Sequence, residues 1–339
     1  MNNVFKIQIN NKREDIDWNY NMKKVKIDES RMFSNYISDD MIKGLWEQQS
    51  RISPFFDNDK KQLYYKARNI VFPQDKIGSK RFRNRAGDKL FQISESFDLF
   101  KNKSIFLDLC GGPGAWSEVL LNLNSNIRGY GLTLKSENKS VMWYKKLYKS
   151  KRWKALWGDG SGDIYKDLSF LKQYNVDLVV ADGGFNVNEK GVHLEHLQEL
   201  FSARIIVSEL LGALFSLNDG GDFCCKIFDT FSQLSASIIY FVCLCFKEVY
   251  IIKPYSSRNV NSERYIVGLG KKHNINNVTE YLEKIHYEWD DDLQLESLIP
   301  IDIMMKDKLF IKGYKKQTEF LCKMQIQSLK KVMDLCETY

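Results

Sequence analysis

Only four histidines occur in 339 residues, and no Cys-x-x-Cys pair is present. That argues against a zinc site, which draws on clustered His and Cys ligands. The seven cysteines are odd in number, and most stand in apolar stretches: Cys110, Cys224, Cys225, Cys243 and Cys245. They read as reduced thiols, not as a disulfide framework. No apolar run reaches the ~18 residues of a membrane span. The longest candidate, Ile238 to Phe246, is too short. The polar start of the chain (Asn2, Asn3, Lys6) is not a secretory leader. Repeats and low-complexity tracts are missing too. An intracellular, reducing compartment is expected: cytoplasm, a viral replication site, or nucleus.

What is present suffices for a full core. Hydrophobic residues make up 44% of the chain and aromatics 13%. The length allows one large domain or two small ones. A net charge of +7 and a pI near 8.8 suit a nucleic-acid partner without proving one. Residues 1–78 mix charge and aromatics with weak periodicity. From about 104 to 270, short apolar runs alternate with helical stretches, the pattern of an α/β domain on a mainly parallel sheet. The expected strands are Ile105–Cys110, Gly129–Leu134, Ala155–Gly158, Leu178–Asp182, Phe223–Phe228, Val249–Lys253 and Tyr265–Leu269. Helices are expected over Ser79–Phe97, from Leu194 to Leu214, and over Thr230–Phe246. The end of the chain, with Phe320, Leu321, Met324, Leu329, Val332, Met333 and Cys336, reads as an amphipathic helix. It could dock internally or bind a partner.

Asp108-Leu109-Cys110-Gly111-Gly112-Pro113-Gly114-Ala115-Trp116 is a strand end, a glycine turn and a helix start. Such a turn lets backbone approach a ligand and offers free N–H groups. It is not Gly-x-Gly-x-x-Gly, and Leu132-Thr133-Leu134 stands where a dinucleotide fold ends its second strand in an acid. Pro113 removes a donor, and Asp108 adds negative charge facing the turn. Both favour a cationic ligand such as S-adenosylmethionine over a pyrophosphate. Four further polar residues sit in unusual settings: Lys89, Asp182 after an apolar run, Lys226 inside a strand, and Glu263. A lysine in a buried strand is costly unless carboxylates pair with it. Two lysines and two carboxylates could compensate one another at one site.

Six linked segments closely resemble the FtsJ/RrmJ superfamily of ribose 2′-O-methyltransferases, and within it the Adrift-type mRNA cap 1 enzymes. They are Asp108–Trp116, Gly158-Asp159-Gly160, Asp182-Gly183-Gly184-Phe185, Gly220–Phe228, Lys253-Pro254 and Asn261-Ser262-Glu263-Arg264-Tyr265. The resemblance runs over about 67–270. It implies a Rossmann-like S-adenosylmethionine-dependent methyltransferase with a mainly parallel seven-stranded sheet flanked by helices. The implied layout is an N-terminal extension (1–78), the methyltransferase domain (79–270) and a helical C-terminal extension (271–339). The catalytic tetrad falls on Lys89, Asp182, Lys226 and Glu263. Cofactor contacts fall on Asn84, Asp108, Cys110, Gly111, Gly112, Pro113, Gly114, Ala115, Trp116, Asp159 and Asp182. Substrate contacts fall on Arg68 and Asn261, with a substrate loop from Asn188 to Leu194. Gly87-Asp88 stands where those relatives carry an apolar pair.

A ribose 2′-hydroxyl needs a base or stabilisation of its oxyanion, and no metal is required. Lys226 is the candidate, its pKa expected to be depressed by Lys89, with Asp182 and Glu263 orienting it. Arg68, Lys80, Arg81, Arg83 and Arg85 would hold RNA and cap phosphates, and Phe55, Phe56, Tyr64 and Tyr65 could stack on the methylguanine. The substrate expected is capped mRNA, with partners from the capping or transcription machinery left open and with no membrane. Two alternatives stay open: an rRNA or tRNA ribose methyltransferase, and a catalytically silent RNA-binding subunit of the same fold.

Overall fold

The computed structural model describes residues 3–57, 60–73, 82–138, 141–184, 195–290 and 293–338. Ten strands are found among them: β1 (Asn3–Ile7), β2 (Lys24–Val25), β3 (Ile105–Leu109), β4 (Arg128–Leu132), β5 (Trp153–Leu156), β6 (Val176–Ala181), β7 (Leu217–Ile227), β8 (Phe246–Lys253), β9 (Arg264–Lys271) and β10 (Gln294–Leu295). Eight form one sheet in the order β1-β8-β9-β7-β6-β3-β4-β5, and β2 pairs with β10 separately. From β7 to β5 every pairing is parallel. β9 runs antiparallel to β7 and β8, and β1 antiparallel to β8.

The seven expected strands are all present, and the eighth corrects the count. β1 comes from the N-terminal segment and has only five residues. It is too short for its alternation to stand out, and its partner β8 lies more than 240 residues away. Lys6 ties it to Glu248 across the pair, and its Phe5 ring meets Phe320 at 5.4 Å.

Alternation along the strands sorts the sheet into two faces. Leu107, Val179, Phe223 and Cys225 join one core with the long apolar helices Gln198–Ser216 and Gln233–Cys245. Phe106, Leu178, Val180, Cys224 and Tyr265 join the other, with helices Arg85–Phe97 and Ala115–Leu123. Lys226 keeps the phase of Cys224, so it belongs to this second face. The helix opposite, Arg85–Phe97, is capped by Asn84, whose side chain accepts from Ala86 N–H at 3.0 Å and Gly87 N–H at 3.4 Å. Ser79 to Arg81 of the expected helix lie outside the described residues. Gly87 is buried, and a Cβ there would come within 2.7 Å of Phe82 and 3.0 Å of Val119. Glycine at this position lets the helix lie close against its neighbour.

The C-terminal helix Lys308–Cys336 packs on β1 and on the N-terminal helices Asp39–Ser50 and Lys61–Val71. Met32, Ile42 and Leu45 share one cluster with Leu197, Phe231, Cys322 and Leu329. The two ends of the chain thus build one flank of the α/β core. Fully burying each such aliphatic side chain contributes roughly 1.5–3 kcal/mol. No helix among the described residues is long and apolar enough to cross a membrane.

Candidate active site

Strand register brings three of the four polar residues together. Ala181 lies opposite Cys225, Lys226 opposite Tyr265, and Ile227 opposite Arg264. Asp182 is one residue past β6, Lys226 is next to last in β7, and Glu263 is one residue before β9. All three reach the same end of the sheet, the carboxyl end of its parallel strands. Lys89 joins them from the helix Arg85–Phe97.

The four form two ion pairs. Lys89 Nζ lies 2.7 Å from Glu263 Oε1 and 2.8 Å from Oε2. Lys226 Nζ lies 3.1 Å from Asp182 Oδ1 and donates to the Asp182 backbone carbonyl at 3.0 Å. Tyr265 Oη and Ser257 Oγ also donate to Glu263 Oε1, at 2.9 and 3.0 Å. Each of the four side chains keeps between 14% and 21% of its surface, so a ligand can reach them. A Cβ at Gly184 would sit 3.3 Å from Lys226 Nζ. Glycine there leaves one side of the ammonium open.

Electrostatics overturn one expectation. Burial pulls the Lys226 pKa down, but Asp182 and Glu263 outweigh it and raise the value above that of an ordinary lysine. Lys89 is engaged by Glu263 and does not depress it. Burial likewise pushes Glu263 up, and Lys89, Lys226 and Lys253 outweigh it, holding the carboxyl at about 2. Behind Asp182 stands Glu209, fully buried, which accepts from Gly183 N–H at 3.0 Å and from Cys225 Sγ at 3.2 Å. Burial pushes its carboxyl up to about 7. Sequence reasoning missed Glu209 because its helix reads as uniformly apolar.

The glycine turn is built differently from what its sequence suggests. Asp108 does not present a charge to the turn. It is fully buried, accepts from Ser117 N–H at 3.1 Å and Ser117 Oγ at 2.6 Å, and burial pushes it up to about 7. A Cβ on Gly111 would lie 2.0 Å from that carboxylate, one on Gly112 1.7 Å from the Val141 carbonyl, and one on Gly114 2.2 Å from Leu147. These glycines are required by the protein's own packing, whatever ligand follows. Trp116 is buried, and its indole N–H donates to Ala86 O at 2.8 Å, tying the turn to the helix that carries Lys89. Ala115 is buried beside it. Asn84 is an exposed helix cap, and Asp159 is exposed, its Oδ1 accepting from Ser161. Cys110, Gly111, Gly112 and Pro113 keep some surface at the carboxyl end of β3, next to Thr133 after β4 and Trp157–Gly162 after β5. Ligands of open α/β sheets bind in such a crevice.

A second feature lies beside the tetrad. A cavity of about 550 Å³ is lined by Trp46, Phe56, Tyr64, Tyr65, Arg68, His196 and Glu29, among others. A smaller one of about 150 Å³ shares Gln49, Ile52, Tyr64 and Arg68 with it and adds Arg258, Asn261, Ser262 and Gln325. Together they run from the aromatic cluster to the residue next to Glu263. The Arg68 guanidinium lies over the Tyr65 ring at 4.8 Å. Phe55 does not line the larger cavity and packs instead in the Tyr64–Phe72 cluster. Trp46, His196 and Arg258 were not singled out from sequence, because the chain gives no sign that they meet Arg68. The expected basic cluster divides: Arg83 lines a separate cavity, bonded to Glu118 at 3.1 Å and lying over Tyr144. Lys80, Arg81 and the loop from Asn188 to Leu194 lie outside the described residues.

Residues 82–271 match the FtsJ-like methyltransferase family. The chain belongs to this family. Among curated proteins, this FtsJ-like chain is 34% identical over 313 residues to the cap-specific mRNA (nucleoside-2′-O-)-methyltransferase 1 of Trypanosoma cruzi, covering 85% of this chain and 84% of that one. The protein of the same name from Trypanosoma brucei brucei is 33% identical, covering 82% and 81%. The one from Danio rerio is 31% identical over 91% of this chain and 40% of its own length. These likenesses cover more of the chain than residues 82–271 alone. An FtsJ-like methyltransferase uses a methyl donor, and the crevice fits a cationic one. The carboxylates of Asp182 and Asp159 stand at the carboxyl ends of the strands, and Gly184 leaves space before Lys226.

Proposed function

We propose that this chain transfers a methyl group from S-adenosylmethionine to the ribose 2′-hydroxyl of the first transcribed nucleotide of capped mRNA. The observation that carries the cap is the pair of adjoining cavities that extend from Trp46, Phe56 and Tyr65, past Arg68 and Arg258, to Asn261 and Ser262 beside Glu263. An aromatic chamber suits a flat, cationic 7-methylguanine. The two arginines suit the triphosphate that follows it. The tetrad then stands where the first ribose would arrive. The likeness to named cap-specific relatives supports the same reading.

S-adenosylmethionine, when bound in the crevice at Cys110–Gly114, Asp159 and Asp182, supplies a methyl group already activated on sulfonium. The protein must align the hydroxyl and manage one proton. Lys226 is the group for that proton. In the free protein it is an ammonium held by Asp182, and its amine form accepts the proton from the 2′-hydroxyl. Lys89 and Glu263 satisfy each other, so neither competes for the proton and both keep the ribose side of the site polar. Because Asp182 and Glu263 raise the Lys226 pKa, kcat/KM should climb with pH into the alkaline range.

The seven cysteines are free thiols, six of them buried, which suits an intracellular, reducing compartment. The deciding experiment is methyl transfer from S-adenosylmethionine to matched capped and uncapped RNAs, with the methylated ribose mapped. Label on the first transcribed ribose of capped RNA alone is expected. Equal labelling of uncapped RNA, or of internal riboses in rRNA or tRNA, would overturn the cap reading.

A further inference from the structure

Lys253 ends β8 and keeps only 3% of its surface. Its ammonium donates to the Asn261 backbone carbonyl at 2.8 Å, to Asn261 Oδ1 at 2.8 Å and to the Glu263 backbone carbonyl at 2.5 Å. An ammonium has three N–H groups, and three short bonds to neutral oxygens use them all. Ser257, also fully buried, lies 3.5 Å from the same Nζ and donates to Glu263 Oε1 at 3.0 Å. Pro254 follows the lysine directly, so the chain leaves β8, turns through Ser257 and returns into β9 around this one side chain. Burying an ammonium is costly, and a methionine would fill the same space without that cost. Burial pushes Lys253 down to about 7 against the pull of Glu263. The cation is kept in an expensive place, at the base of the segment that carries Asn261 and Glu263.

We propose that Lys253 is a positioning residue for the transfer reaction. It fixes the Ser257–Glu263 segment so that the Glu263 carboxylate meets Lys89 and Tyr265, and Asn261 lines the groove. With its Oδ1 engaged by Lys253, Asn261 has its amide N–H₂ left to offer a substrate. The proposal rests on the function proposed above. It adds a group that never touches the substrate and acts through Glu263.

The test is a double-mutant cycle on the full chain with capped RNA. Lys253→Met should lower kcat by about 10²-fold, the scale of a small misplacement in a catalytic site. The calorimetric affinity for S-adenosylmethionine should stay within roughly 3-fold, since that site is not removed, and KM for capped RNA should rise less than kcat falls. In a Glu263→Gln background, Lys253→Met should cost less than about 3-fold, because residues that act as a unit are not additive. A bolt that serves folding alone would multiply through both backgrounds, and that outcome would overturn the proposal. If Lys253→Met does not fold, Lys253→Arg keeps the charge but cannot aim three donors from one atom. It should bind S-adenosylmethionine normally and still lose kcat, and wild-type turnover in it would overturn the role. Inactivity of the wild-type chain on capped RNA would instead sink the proposed function, while equal activity of wild type and Lys253→Met would sink only the role of Lys253.

Discussion

The tetrad and the aromatic groove are neighbours with opposite construction. The tetrad is assembled by strand register within one family-matched domain, and its charges are paired at 2.7 to 3.1 Å. The groove is assembled from helices at both ends of the chain and one active-site loop, and much of it is open volume. The tetrad's charges are held by strand ends, whose positions the register fixes. In the proposed function, selection of capped RNA falls to the groove, outside the sheet, where helices can vary without disturbing the register. If this contrast is right, damage to the tetrad should stop transfer to every RNA, and damage to the groove should weaken capped RNA selectively.

The largest expected effect is at Lys226. Lys226→Ala removes the proposed proton acceptor and should lower kcat by about 10²–10⁴-fold. S-adenosylmethionine affinity should stay near wild type. Turnover close to wild type in a folded mutant would remove Lys226 from the reaction. Arg68→Ala comes next. Charge-assisted contacts of this kind are worth about 1.5–3 kcal/mol, so KM for capped RNA should rise roughly tenfold or more. The wild-type advantage should also shrink as salt rises. A mutant that still prefers capped RNA as strongly as wild type would break the contrast between the two regions. Phe56→Ala removes a ring that keeps 37% of its surface. Base stacking of about 1 kcal/mol predicts a loss of roughly fivefold in capped-RNA affinity and none for uncapped RNA.

The last expected effect is on stability and not on turnover, through proton linkage at Glu263. Its pKa is depressed from 4.5 to about 2 in the folded protein. Below pH 4.5 the unfolded chain binds the proton more readily, so stability falls as pH drops. The stabilisation by its ion pairs is present above pH 4.5 and is lost as pH falls toward 2. Urea titrations of wild type and Glu263→Gln should therefore converge across that window and differ by a constant amount above it. Parallel curves from pH 2 to pH 7 would mean that the Lys89 pair contributes nothing.

The glycine turn marks where local reading stops. Its residues announce a ligand-binding βα turn, and the turn is there at the end of β3. The partners of each glycine, however, are Asp108, the Val141 carbonyl and Leu147, contacts that no spacing rule reveals. For the same reason a Gly112→Val protein would report on packing before it reported on the methyl donor. Asp108 and Trp116 were legible as residues of the motif, but their burial was not. Phe56, Tyr64 and Tyr65 were legible as aromatics near Arg68, whereas Trp46 and His196 became part of the cavity only when distant segments met.

By itself, the sequence determined the α/β alternation, the seven strands from Ile105 to Leu269, and the four charged residues too costly to bury alone. Those signals are local: periodicity, turn chemistry, and the penalty on an unpaired charge. Only the tertiary structure decided the eighth strand, the division of the tetrad into two ion pairs, the raised Lys226 pKa, and the cavity beside the Ser257–Glu263 segment. Each of these depends on distances between residues far apart in the chain, and Coulomb and packing energies are set by distance, not by order along the sequence.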